Sequence, residues 1–113
     1  MKVNISLNGT LIAENISMAD NFWTRLSGYM FRKTPHVPGI LFEPASAMQT
    51  TFMFFELDIV FLTKENRVIK VLRNVKPWRH TWFYAKTRKA LEMPAGELFS
   101  GLKPGDVLEI VPA

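Results

Sequence analysis

A chain of 113 residues, 48% of them hydrophobic and 21% charged, has the size and balance of one globular domain. Its apolar runs stay well short of the roughly 18 residues that cross a bilayer as a helix, and the absence of cysteine excludes disulfide staples, thiolate metal sites and cysteine nucleophiles. The formal charge of +4 is unevenly placed: from Lys64 to Lys89, nine lysines and arginines stand against Glu65 alone, an asymmetry that attracts nucleic acid, anionic lipid or an acidic partner, unless carboxylates brought in by the fold neutralise it.

The N-terminal stretch "MKVNISLNGTLIAENI" alternates polar with apolar and offers no continuous apolar run before a small-residue cleavage site, so the expected location is the cytoplasm. Asn8-Gly9 between two alternating runs signals a type I′ turn, in which both central residues take positive φ. Residues 2–14 are therefore predicted to form a hairpin with Leu7 facing Thr10 and Ile5 facing Ile12. Ser17 followed by Asp20 resembles a capping box, Phe22, Leu26 and Tyr29 recur at helical spacing, and Gly28 provides a stop. The expectation is a short helix over 18–27.

The segment "RKTPHVPGILFEP" brackets Ile40–Phe42 with prolines and a glycine, reading as a loop feeding a short strand. Over Leu57–Leu62 both strand faces are apolar, the mark of a strand buried on both sides. "RVIKVLR" follows the turn "TKEN" as a strand with Lys70 toward solvent. "WRHTWFYAKTRK" has neither period and is expected as an ordered loop lying over apolar surface. Strands at Ala90–Met93 and Val107–Val111 close the chain, separated by a helical turn after Pro94 and a Pro104-Gly105 turn. The fold class expected from this order is mainly β: six or seven short strands with one short helix, in a single domain spanning 1–113.

Several blocks together resemble the bacterial and archaeal family known as domain of unknown function 192. "RLSGYMFR" is similar to its block near the first helix, "GILF" to its Gly-Met-Leu-Phe strand, and "MQTTFMFFELDIVFL" to its His-Thr-Phe-Gly-Met-Arg-Phe-Pro-Ile-Asp-Val-Val-Phe-Leu tract. "VLRNVKPWR", "TRKALEMPAG" and "GLKPGD" follow in the family's order, so the resemblance runs over roughly residues 19–111. It implies a small closed or jelly-roll-like β-barrel and no activity, and fold alone does not supply one. The chain departs from the family form at Gln49, where the family has histidine, at Phe52, where it has glycine, and at Glu56, where it has proline.

Glu56 and Asp58 stand two apart on an extended chain and share one face, close enough for coupled titration or a shared cation. The competing reading makes Asp58 structural: a carboxylate entering a buried strand has to accept backbone N–H or arginine hydrogen bonds. His36 and His80 are far apart and give no metal array, no serine stands in a Gly-x-Ser-x-Gly elbow, and no phosphate-cradling loop exists. No catalytic residue, cofactor or metal is therefore assigned. "KPWRHTWFY" interleaves cations with aromatic rings that suit phosphates and bases, or else its tryptophans plug one end of the fold while arginines pair with Asp58, Glu92 or Asp106.

The reading carried forward is a non-catalytic binding module, monomeric or weakly dimeric and without membrane insertion. It takes a small anionic or polar ligand, or a protein partner, in a groove lined by Arg32, Asp58, Trp78, Arg79 and Arg88. The alternatives are a basic single-stranded nucleic-acid binder and, third, an enzyme using Glu56 and Asp58.

Overall fold

A computed structural model of the chain describes residues 1–19 and 28–113. Among these residues seven strands form one sheet: β1 (Lys2–Leu7), β2 (Thr10–Ala19), β3 (Ile40–Phe42), β4 (Leu57–Leu62), β5 (Val68–Val75), β6 (Lys89–Pro94) and β7 (Leu108–Pro112). Their spatial order is β5-β4-β6-β3-β2-β1-β7. β2 and β3 run parallel; the other neighbours are antiparallel.

The hairpin forms as its turn chemistry requires, with Asn8 at φ 51° and Gly9 at φ 83° and Leu7 opposite Thr10. The expected Ile5–Ile12 pair does not form. A register shift between Ser6 and Ile5 places Ile5 opposite Ala13, and a further shift lies between Ile5 and Val3, where Asn15, at φ 57°, donates its N–H to Asn4 Oδ1 at 3.0 Å. Such bulges add twist and curl the strand.

Met18 and Ala19 continue β2, so the helix expected over 18–27 does not begin there; its residues 20–27 lie outside the described ones. Among the described residues there is no helix. The expected helical turn after Pro94 is a tight turn instead, closed by Glu97 N–H to Pro94 O at 3.0 Å, with Gly96 at φ 91°, outside the helical region. The closed-barrel expectation also needs correcting. The edge strands β5 and β7 are joined by a single bridge, Arg67 opposite Val107, and by bonds around it such as Val68 N–H to Asp106 O at 2.7 Å. The sheet therefore curls until its ends touch without forming a closing ladder.

This curl explains why every residue of β4 is buried. Val60 and Leu62 join Val3, Ile5, Ile16, Leu91 and Leu108 in one cluster, to which strands from across the sheet contribute. Leu57, Ile59 and Phe61 face the other way and join Ile40, Phe42, Tyr29 and Met53 in a second cluster. Tyr29 and Met53 belong to loops, so this second face is covered by the connections that precede and follow β3. The loop after β5 covers it only in part: Tyr84 packs on Phe61 with ring centroids 5.2 Å apart, while Trp78, Trp82 and Phe83 stay 55%, 79% and 64% exposed. The tryptophans at 78 and 82 plug nothing.

Candidate functional site

β6 places one carboxyl where no described residue compensates it. Glu92 pairs with Ile40 on β3 and with Ile59 on β4, so it shares their face and enters the second apolar cluster. The residue is 0% exposed, and among the described residues neither of its oxygens has a hydrogen-bond partner. Burial pushes its pKa from an ordinary 4.5 up to about 8, because ionisation without partners in an apolar setting is costly. At neutral pH the group is a carboxylic acid, able to donate one hydrogen bond and accept another.

A cavity of about 340 Å³ opens against it, lined by Glu92, Phe42, Gln49 and the thioethers of Met30, Met48 and Met53 among others. That volume falls in the range of small-ligand pockets. Gly28 also borders it. A Cβ on Gly28 would stand 3.3 Å from Phe42 Cζ and 3.9 Å from Glu92 Oε1, so a bare backbone keeps the approach to the carboxyl open. Tyr29, next in the chain, donates its hydroxyl to Val37 O at 2.9 Å. Burial, and after it the nearby charge of Glu92, raises the phenol above its usual range.

Asp58 behaves differently. Opposite it, β5 carries a register shift between Leu72 and Val75 with Asn74 at φ 56°. The Asp58 carboxylate fills the irregularity: Oδ1 accepts from Asn74 N–H at 3.0 Å, Oδ2 accepts from Gly96 N–H at 3.1 Å, and Arg73 Nη1 lies 3.7 Å away. It is 1% exposed, and alternation along β4 directs it to the face opposite Glu92. Glu56 is exposed, so the two carboxyls of the expected pair occupy different environments. The arginine partner of Asp58 is Arg73; Asp106 instead pairs with Lys103, 3.2 Å away, and Glu92 has no partner among the described residues.

The remaining members of the expected groove fall on separate loops. Arg32 is exposed with its N–H 3.4 Å from Tyr29 O. The side chain of Arg88 is exposed while its backbone joins Leu62 O and Ala45 N–H, each at 2.9 Å. Trp78 and Arg79 are held by Thr50, itself 0% exposed. Thr50 O accepts Trp78 N–H at 2.9 Å, and its hydroxyl accepts Arg79 N–H at 2.9 Å while donating to Lys76 O at 2.7 Å. Arg32, Arg79 and Arg88 do not line the cavity over Glu92. Among the described residues no group of three or more His, Cys, Asp or Glu is arranged to hold a metal ion.

Residues 3–110 match the family model of domain of unknown function 192, described as an uncharacterised ACR. The chain belongs to that family. It is similar to UPF0127 protein PF1050 of Pyrococcus furiosus, at 32% identity over 109 residues, covering 89% of this chain and 90% of the relative. Two crystal structures share the fold, each at 24% identity with a TM-score of 0.75 over 96% of this chain. One is a protein of unknown function from Novosphingobium aromaticivorans, 84% of which is covered. The other, from Sinorhizobium meliloti 1021 and 91% covered, is named as a candidate transcription regulator.

One departure from the family form falls at the cavity and a second next to Met53, which lines it. Gln49, in place of histidine, lines the cavity. Phe52, in place of glycine, has φ 61°, a conformation that glycine adopts freely and phenylalanine does not. Sequence reasoning quoted Glu92 within "TRKALEMPAG" and passed over it as a site. The available signal was a single acid inside the otherwise apolar run Ala90–Met93.

Proposed function

We propose that this protein is a binding module for a small, largely apolar molecule bearing an amino, amidino or amino-heterocyclic head, seated on Glu92. The observation that carries the reading is a fully buried carboxyl that finds no partner among the described residues, beside a cavity of about 340 Å³. Buried polar groups in folded proteins are nearly always satisfied, so one that is not marks a place where a partner belongs. A head that pairs an N–H donor with an acceptor matches the acid form of Glu92; a cationic head takes the ionised form in a charge-assisted, bidentate contact. The methionines give the walls an adaptable, polarisable surface. An anionic head group is disfavoured here, since among the described residues no arginine or lysine lines the cavity. The groove first sought around Arg32, Asp58, Trp78, Arg79 and Arg88 thus gives way to one centred on Glu92, with Asp58 holding the sheet.

Benzamidine and 2-aminopyrimidine are suitable probes, followed by amide chemical shifts of the whole chain. Saturable shifts centred on Gly28, Gln49 and Leu91–Met93, lost in Glu92→Leu, are expected. Absence of any saturable shift between pH 6 and 9, or binding that Glu92→Leu leaves unaltered, refutes the assignment.

A further inference from the structure

Phe31, Phe52 and Trp78 come from three different loops, yet all three have backbone φ near +60°, at 62°, 61° and 63°. For bulky side chains this left-handed conformation is a genuine outlier, tolerated only where the surroundings enforce it. Burial does not explain it, because the three side chains are 66%, 39% and 55% exposed. The surroundings do enforce it. Phe31 N–H bonds to Phe52 O at 2.9 Å and Trp78 N–H bonds to Thr50 O at 2.9 Å, tying the loops side by side.

The result is a continuous aromatic ladder. Phe31 stacks on Phe52 with centroids 4.9 Å apart and planes 27° from parallel, and Phe52 meets Trp78 at 4.7 Å, edge to face. Cations flank it: Arg32 and Lys33 follow Phe31, while Lys76 and Arg79 lie on either side of Trp78. All four are exposed. The loop stretches 28–33, 50–53 and 76–80 contain no aspartate or glutamate, and among the described residues Arg32 and Arg79 have no carboxylate partner.

We propose that the Phe31–Phe52–Trp78 ladder, with Arg32 and Arg79 beside it, is a binding surface for single-stranded nucleic acid. Bases stack on the exposed rings and the guanidinium groups meet the phosphates. Charge complementarity selects this occupant. A neutral sugar accounts for the rings and leaves the cations without a role, and an acidic peptide accounts for the cations without using a ladder of ring faces. The surface uses different residues from the cavity over Glu92 and stands or falls independently of it.

The test measures anisotropy of a fluorescein-labelled twelve-nucleotide oligothymidine at 25 and 200 mM NaCl, with heparin as a polyanion lacking bases. Trp78→Asn and Phe31→Asn remove the rings while placing at these positions a residue that tolerates positive φ, and their amide spectra report folding. Each is expected to weaken oligothymidine binding about tenfold or more while leaving heparin binding unchanged. Arg79→Ala is expected to weaken both and to flatten the salt dependence by about one unit of slope. The proposal is overturned by no oligothymidine binding at 25 mM NaCl, by affinity that Trp78→Asn does not alter, by an equal loss for oligothymidine and heparin in Trp78→Asn, or by cellohexaose binding the ladder in place of the oligonucleotide.

Discussion

Replacing Glu92 by glutamine tests the most unusual group in the molecule through stability alone, with no ligand required. In the unfolded chain this carboxyl loses its proton near 4.5, and in the folded chain it keeps it to about 8. Between those values the folded state binds one proton more than the unfolded state, so stability falls as pH rises, by about 1.4 kcal/mol per pH unit. The loss begins near the unfolded value, accumulates to about 5 kcal/mol, and levels off once the folded group also ionises. Against a typical domain stability of about 5–15 kcal/mol, that term is decisive above neutrality. Glutamine carries no ionisable proton but brings an amide that needs partners, a cost of about 1–3 kcal/mol. The two stability curves should therefore cross: Glu92→Gln is less stable near pH 5 and more stable by a few kcal/mol near pH 9.

Urea unfolding followed by tryptophan fluorescence from pH 5 to 9 measures both curves. His36, whose pKa is lowered by burial and then by Arg32, adds stability as pH rises through its range and so opposes the trend. It is present in both proteins and cancels in their difference. Tyr29, raised above its usual range, acts only at more alkaline pH. A wild-type curve flat to within about 1 kcal/mol between pH 5.5 and 8.5, or an equal slope in Glu92→Gln, refutes the view that this acid is held neutral by burial.

Asp58→Ala strips the acceptor from two backbone N–H groups and leaves Arg73 without its carboxylate, so it is expected to cost about 3 kcal/mol or more, read as a lower urea midpoint. Gly39→Ala inserts a Cβ 2.7 Å from Ile16 Cδ1 and 3.1 Å from Glu92 O. Overpacking of that kind costs about 1–3 kcal/mol, and a neutral result would mean that β3 shifts freely against β6. Phe52→Gly exchanges ring contacts for relief of about 1–2 kcal/mol of left-handed strain. Its unfolding midpoint should correspond to a stability within about 1 kcal/mol of wild type, whereas deleting a buried ring such as that of Phe61 costs about 3–5 kcal/mol. A loss above about 2 kcal/mol for Phe52→Gly would show that the ring serves the fold.

Much of the strand pattern could be read directly from residue order. The Asn8-Gly9 turn, the two-faced apolar run of β4 and the strands at β5, β6 and β7 each rest on a local signal that needs no partner to interpret: positive φ at glycine, or a period of two. The barrel expectation came from the family resemblance, and the structure reduces it to an open sheet whose ends touch at Arg67 and Val107. The Ile5–Ile12 pairing failed because Ile12 is an extra residue between the Ser6–Leu11 and Ile5–Ala13 pairs, an irregularity that periodicity does not reveal. The structural reading of Asp58 was accessible because a carboxylate entering an apolar strand must find donors. Naming Asn74 and Gly96 as those donors required the fold.

The order of side chains along this chain determined which segments extend, where the hairpin turns and which strand lies between two apolar layers, because backbone conformation and face alternation are set within a few residues. Tertiary structure alone decided that Glu92 faces a cavity with no partner among the described residues and that Phe31, Phe52 and Trp78 meet on one surface. Whether a carboxyl is satisfied, or a ring covered, depends on groups that lie 20 or more positions away along the chain and are brought together only when the sheet curls and the loops close over its second face.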